Sequence, residues 1–363
     1  MNKDTKKVCL LGISLGFGGA SKAMAMQSQM LFECGFDVHI VILINRVDYA
    51  YSGTLFNLGL QQPENDNLFK RLKRFQRLRA YLKQQHFDVL IDHRPKNNGF
   101  RELYYHWYLY KNINTIYVVH SAKLKTYFSD YPKLLSKIYN RNQSTIAVSQ
   151  YIKHQTQALG VNKVQHIPNA FDSHWLQESY AVPEGLDGTA YILAYGRLDD
   201  AVKDYSFLLE SFEASRLWEQ NRYLIVLGDG QDKATLQAKA SKLRSHNFIV
   251  FVPFTKNPFR YVVYAKFVAL TSRFEGFPMV LIESLSLGTP VVSLDIPSGP
   301  SEIINHKQNG LLVEKRDVNL FANQMRLMFE DDHLYRICKQ NAKASVSQFS
   351  KEKIMEQWKK VLK

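Results

Sequence analysis

The sequence predicts two doubly wound α/β domains, each a parallel sheet covered by helices on both faces, and three observations carry that expectation. Six short, β-branched apolar runs fall in the first half of the chain and six more in the second. The runs are continuously apolar rather than alternating, as strands buried on both faces require. Each is followed by enough sequence for a helix, which supplies the right-handed crossover between parallel neighbours. At 363 residues and 45% apolar composition the chain can fill two ordinary cores, and a disordered or fibrous class is excluded.

The first domain is read over residues 1–172. Its strands are KVCLLGIS (7–14), DVHIVILI (37–44), DVLIDH (88–93), TIYVVH (115–120), TIAVS (145–149) and VQHIPN (164–169). The opening apolar run is a strand rather than a leader, being short, broken by glycine and followed by Lys22. The stretch NAFDSHWLQESYAVPEGLDGT (169–189) carries turn formers and little periodicity, and marks the boundary. A second domain over 173–345 repeats the rhythm with YILAYG (191–196), YLIVLGD (223–229), IVFVP (249–253), FVALTS (267–272), PVVSLD (290–295) and GLLVE (310–314). Residues 346–363 read as a C-terminal helix returning to the first domain.

The net charge of +14 is unevenly spread: residues 1–172 hold 23 Lys/Arg against 11 Asp/Glu, residues 173–363 hold 24 against 22. Such asymmetry points to a polyanionic surface met by the first domain, either nucleic acid or an anionic membrane. In FKRLKRFQRLRAYLKQQ (69–85), Lys70, Arg71, Lys73, Arg74 and Arg77 stand opposite Leu72, Phe75, Leu78 and Leu82. That amphipathic helix fits an anionic lipid surface at least as well as nucleic acid, or is an ordinary solvated helix. No nucleic-acid motif accompanies it, so nucleic acid is not expected. The aromatics of ELYYHWYLYK (102–111) form either an acceptor platform or core. No apolar stretch approaches the roughly 20 residues of a spanning helix, so a soluble or peripheral protein is expected. Cys9, Cys34 and Cys338 show neither CxxC pairing nor zinc-ligand spacing, and read as small buried hydrophobes in a reducing compartment.

Ligands of open α/β sheets sit beyond the carboxyl ends of the strands, and the chemistry-bearing residues cluster there. After the first strand, Gly16, Phe17, Gly18 and Gly19 lead into a helix beginning near Ala20, either letting backbone N–H groups approach an anion or making a packing turn. A dinucleotide fingerprint is not completed, because Ser21 stands in place of the third glycine and no acid follows the second strand. After YILAYG come Gly196 and Arg197, with Lys203 beyond, two cations suited to clamp a diphosphate or simply a solvated pair. Gly228 and Gly230 follow the next strand as a further loop or a mere turn. In SRFEGFPMVLIESLSLG (272–288), Pro278 opens and Gly288 stops a helix that is apolar on almost every face yet carries Glu283. A buried carboxylate needs either a ligand hydroxyl or a buried ionic partner. Glu275 lies just ahead of it, with Gly276 and Phe277 between Glu275 and Pro278. In SGPSEII (298–304), Gly299 and Ser301 open a helix toward a phosphate, unless Ser301 is only an N-cap.

The run from Glu275 to Glu283, with Gly196-Arg197, Lys203, the Gly-Gly loop and Ser298 to Glu302, resembles in order and spacing the GT-B glycosyltransferases of family four, over nearly the whole chain. The resemblance implies two Rossmann-like domains facing across a cleft and a retaining transfer from a nucleotide sugar. It implies that Arg197 and Lys203 hold the donor diphosphate, Glu283 the ribose hydroxyls, Glu275 the transferred sugar, and that His120, closing TIYVVH, contacts the donor hexose. Taken alone, His120 also reads as a structural hydrogen-bonder. The sequence departs from the pattern at Asp204, where many relatives place glycine or asparagine. The expected donor is a UDP-hexose or UDP-N-acetylhexosamine and the acceptor a lipid-linked or surface-polysaccharide glycan, on the inner face of the membrane in the cytoplasm. No D-x-D occurs, so no metal or other cofactor is expected. The rival readings are a UDP-sugar 2-epimerase of similar fold and a basic nucleic-acid-binding protein.

Overall fold

In the computed structural model the described residues are 5–16, 18–61, 68–172 and 179–363. The chain divides into two compact units, Met1–Ala170 with Lys351–Lys363, and Phe171–Ser350. The first unit holds seven parallel strands: β1 (Lys7–Gly12), β2 (Asp37–Ile42), β3 (Thr54–Asn57), β4 (Val89–Asp92), β5 (Asn114–Val119), β6 (Ser144–Ala147) and β7 (Val164–His166), in the order β3-β2-β1-β4-β5-β6-β7. The central strands are dry, with Leu10, Leu11, Ile40, Ile42, Leu90, Ile91 and Ile116 fully buried, each worth about 1.5–3 kcal/mol of apolar transfer. Strand β3 is not among the predicted runs: it is a partly exposed edge strand of four residues paired with β2, its Phe56 stacked on Tyr81, and no apolar run announces it.

The helix Lys351–Leu362 belongs to this first unit. Lys6 Nζ donates to the Leu362 carbonyl at 2.6 Å and Gln143 Nε2 to that of Val361 at 3.0 Å. Its inclusion sharpens the charge division. Counted by unit, the first carries 28 Lys/Arg and 12 Asp/Glu, a balance of +16, and the second 19 and 21, a balance of −2.

All six predicted runs of the second half are strands: β8 (Tyr191–Tyr195), β9 (Tyr223–Leu227), β10 (Ile249–Val252), β11 (Phe267–Leu270), β12 (Val291–Leu294) and β13 (Gly310–Val313), parallel in the order β10-β9-β8-β11-β12-β13. In each sheet the winding reverses beside the first strand, between β1 and β4 and between β8 and β11. Loops leaving the carboxyl edge diverge at such a point, and side chains there are left facing a crevice.

Three sequence expectations change. Leu72 does not join the apolar face of the helix Leu68–Gln85: it is 45% exposed, whereas Leu78 and Leu82 are buried. The side chains of Lys70 and Arg71, like Phe17, lie outside the described residues. Cys34, capping the helix Gly19–Glu33, is only half-buried, unlike Cys9 and Cys338. The ELYYHWYLYK aromatics split, since Tyr105 and Tyr110 enter the core while Trp107 is 56% exposed. Among the described residues no helix is long and apolar enough to cross a membrane.

Candidate active site

The second unit gathers most of the candidate residues at the carboxyl edge of its sheet. Gly196 follows β8 with φ 144°, and the next loop crosses so close that a Cβ on Gly228 would lie 1.9 Å from the Gly196 carbonyl. Glycine at 228 is therefore a packing requirement of two adjoining loops. Arg197, half exposed, is held by Asp199 at 2.8 Å, and Lys203 ends a one-turn helix with Nζ 2.6 Å from Glu275 Oε1. Ser272 Oγ donates to the same Glu275 oxygen at 2.7 Å. Two residues singled out 72 positions apart in sequence are thus an ion pair across the switch point between β8 and β11.

Asp204, where the sequence departs from the family pattern, is left-handed at φ 52°, ψ 49°. That conformation explains a preference for glycine or asparagine, and aspartate is one of the few other residues that enters it cheaply. Here its carboxylate caps the helix Tyr205–Ser215 through the Phe207 N–H at 3.4 Å. It also pairs with Arg316 at 2.5 Å and Arg273 at 2.9 Å. Arg316 further donates to the carbonyls of Thr271 and Ser272 at 3.0 and 2.8 Å, tying the loops after β8, β11 and β13 into one rigid floor beneath Lys203.

The helix Met279–Ser286 starts after Pro278, which is its N-cap. Glu283 is 2% exposed on it, and its Oε2 accepts from the Tyr195 hydroxyl at 2.8 Å, so a phenol at the end of β8 supplies a protein partner. Burial, and then Glu283, pushes that phenol well above its ordinary pKa, which keeps it a donor. Gly276 accepts from buried Ser298 Oγ at 2.7 Å, and Phe277 packs edge-on against Phe349. A Cβ on Gly299 would meet Pro278 Cδ at 2.2 Å, so the loops after β11 and β12 interlock there. The helix after Gly299 is a single turn, Pro300–Ile303; Gly299 is its N-cap, and exposed Ser301 caps nothing.

In the first unit the glycine loop divides. A Cβ on Gly16 would strike Asp48 at 2.5 Å, whereas none on Gly18 or Gly19 would meet anything within 4 Å. Gly18 is the N-cap of the helix Gly19–Glu33, with φ 112° and no side-chain cap, and its N–H donates to the Tyr49 hydroxyl at 3.3 Å. His120, just past β5, has Nε2 2.9 Å from Nδ1 of His93, just past β4, with the rings stacked at 5.1 Å. Burial, and then nearby Lys96, pushes His120 down to about 3; burial, and then His120, holds His93 well below the ordinary range. Both rings are neutral at physiological pH. Beneath them Asp92, Arg94, Lys96 and Glu102 form a buried, charge-balanced cluster, with Arg94 bridging Asp92 at 2.8 Å and Glu102 at 3.0 Å. Although burial pushes Asp92 up, Arg94 and Lys96 hold it at about 2.

Tyr195, Arg273, Arg316 and His93 also stand in these sites, although no motif in the sequence singles them out. Position was the available signal for two of them: Tyr195 and His93 close apolar runs at the same carboxyl edge that marked the others. Arg273 and Arg316 stand in loops without any local pattern.

Two family models match in tandem, Glycosyltransferase Family 4 over residues 17–175 and Glycosyl transferases group 1 over residues 177–345. The N-acetylgalactosamine-N,N'-diacetylbacillosaminyl-diphospho-undecaprenol 4-alpha-N-acetylgalactosaminyltransferase of Campylobacter jejuni is 27% identical over 361 residues, 96% of this chain and 97% of that protein. The lipopolysaccharide 1,6-galactosyltransferase of Escherichia coli is 30% identical over 225 residues, 60% of each chain. In fold, the chain is similar to Anabaena Alr3699/HepE, solved with UDP and glucose, at a TM-score of 0.80 over 98% of this chain and 99% of that one, with 19% identity.

Proposed function

We infer the reaction from the family to which this chain belongs, the GT-B glycosyltransferases of family four: transfer of a hexose or N-acetylhexosamine from a UDP-sugar to a lipid-linked or lipopolysaccharide-type glycan, with retention of anomeric configuration. The observation that carries this reading is the Lys203–Glu275 pair at the switch point, with Arg197 and the Tyr195–Glu283 pair at the same carboxyl edge. Departure of the nucleotide diphosphate leaves an oxocarbenium-like sugar and a developing dianion, which fixed cations stabilise most. Arg197 and Lys203 are the cations assigned to that charge in this reading. Lys203 is held in position by the carboxylate that the diphosphate would displace. Glu283, dry and oriented by a neutral phenol, is suited to ribose hydroxyls, and Glu275, freed from Lys203, to a hydroxyl of the transferred sugar. His120 keeps the role toward the donor hexose that the resemblance gives it.

The acceptor class rests on the undecaprenol-linked and lipopolysaccharide substrates in the names of the relatives. UDP as the nucleotide rests on the UDP complexes of proteins similar in fold. A place on the inner membrane face rests on the first unit's balance of +16, which an anionic lipid surface would attract. Independence of metal rests on the absence of a D-x-D sequence. Nothing in the site favours a 2-epimerase or a nucleic-acid binder.

A thermal-shift screen of UDP-, GDP- and ADP-sugars, followed by product analysis with and without a polyprenyl-diphosphate glycan, tests the reading, since a ligand of the native state raises its melting temperature. Stabilisation by UDP-sugars and an acceptor-dependent product surviving EDTA are expected. Epimerised sugar without acceptor, or activity that EDTA abolishes and manganese restores, would overturn the corresponding part.

A further inference from the structure

The His93–His120 pair leaves a proton to be accounted for. Two neutral imidazoles carry two protons, and the 2.9 Å bond between Nδ1 of His93 and Nε2 of His120 uses one. If His93 donates, the second proton is on His120 Nδ1; if His120 donates, it is on His93 Nε2. Both outer nitrogens are buried and have no protein hydrogen-bond partner. Either arrangement therefore leaves one buried N–H and one buried lone pair, a cost of about 1–3 kcal/mol each if nothing meets them.

A cavity of about 20 Å³ in the first unit is lined by both histidines and by Gln27, with Met30, Asn169 and Trp358 among its other walls. Gln27, 2% exposed on the helix Gly19–Glu33, has neither Oε1 nor Nε2 bonded to protein. The three residues that carry these four unpartnered polar atoms thus line one small space. Such a volume holds about one oxygen atom, and an oxygen that both donates and accepts answers an N–H, a lone pair and a carboxamide together. A charged group is disfavoured, since the polar lining is neutral and Met30, Ile354 and Trp358 are apolar.

We propose that this cavity is a site for one hydroxyl oxygen, bonded to Gln27 and to an outer nitrogen of the histidine pair, and that His93 and Gln27 act through it as positioning residues that fix which nitrogen of His120 bears the proton. Water and a sugar hydroxyl share the required chemistry. The proposal rests on His120 belonging to the transfer site, but the oxygen site itself is tested without activity.

Ring-nitrogen spectra of the full chain labelled with ¹⁵N-histidine should show His93 and His120 each in one neutral tautomer, with a proton shared between them. Spectra unchanged by UDP-glucose assign the oxygen to water, and spectra shifted by it to the sugar; each supports the site. Gln27→Met should move the ring signals toward the other tautomer or a mixture and lower the melting temperature, because the oxygen loses its anchor. Were Gln27 merely an unpaired amide, the same substitution would remove a desolvation penalty and raise the melting temperature. That rise, or rings already averaging over both tautomers in the unsubstituted protein, would overturn the proposal. In the transfer assay Gln27→Met and His93→Phe should lower kcat several-fold at unchanged donor KM, with His93→Gln recovering part of the loss. Altered tautomers with unaltered kcat would leave the oxygen site standing and refute the role of His120.

Discussion

Because Lys203 and Glu275 hold each other before a donor arrives, dismantling the pair from its two ends should move nucleotide affinity in opposite directions. Their side chains are 20% and 12% exposed and 2.6 Å apart. Unit charges about 4 Å apart interact by about 4 kcal/mol at an effective dielectric of 20, an upper figure from which desolvation subtracts. Hydrogen bonds to charged groups net about 1.5–3 kcal/mol. If Lys203 holds the diphosphate as proposed, Lys203→Met should weaken UDP binding by that amount, roughly tenfold to a hundredfold. Glu275→Gln leaves a neutral oxygen for Ser272 and releases the ammonium to the diphosphate. UDP should then bind as well as before or about 1 kcal/mol more tightly. Turnover should nevertheless fall, since a contact to the transferred sugar is lost at the reacting centre. Calorimetry with UDP and steady-state kinetics on both variants, with circular dichroism to confirm folding, decide the matter. A Lys203→Met protein that binds UDP like the parent, or Glu275→Gln weakening UDP as much as Lys203→Met does, would refute the competition between carboxylate and diphosphate.

Arg197→Ala should weaken UDP by about 1.5–3 kcal/mol through loss of a charge-assisted contact, measured by calorimetry; an unchanged constant would remove Arg197 from the clamp. Glu283→Gln should chiefly raise the donor KM, and Tyr195→Phe should do the same more weakly by freeing a buried carboxylate oxygen, while kcat stays near the parent value; a fall in kcat at unchanged KM would contradict the ribose assignment. His93 and His120 are depressed in the folded state, His120 to about 3 from an unfolded value of 6.5, so the unfolded chain takes up protons that the native state refuses. Their effect on stability is nil above pH 6.5 and grows as pH falls below it, at about 1.4 kcal/mol per pH unit per ring. In denaturant melts the stability difference between the parent and His93→Gln/His120→Gln should be constant above pH 6.5 and should shift in the double variant's favour as pH falls to 4.5. The Asp92 carboxylate, held at about 2, enters only below its ordinary value of 3.8.

Much of this architecture is local enough to be written in the chain. Continuous apolar runs such as VVSL and YILAY have the length and pattern of strands buried on both faces, and the helix-length gaps between them fit parallel crossovers. The ends of those runs mark the loops where Gly196, Arg197, Lys203, Glu275 and Gly299 stand. The half-exposed edge strand β3 was not legible, because four residues without an apolar run derive their conformation from the neighbouring β2.

What the sequence could not determine is which of those side chains meet. Lys203 finds Glu275 over 72 positions and Tyr195 finds Glu283 over 88, because β8 and β11 become neighbours when the sheet assembles. His93 finds His120 in the same way, when β4 pairs with β5. Periodicity reports the face a residue occupies within its own element and carries no information about the element packed against it. The same limit hid the cluster of Asp92, Arg94, Lys96 and Glu102: nothing in the periodicity of the chain pairs these charges, and only tertiary burial, with each charge facing its opposite, turns them into the dry base on which the histidine pair rests.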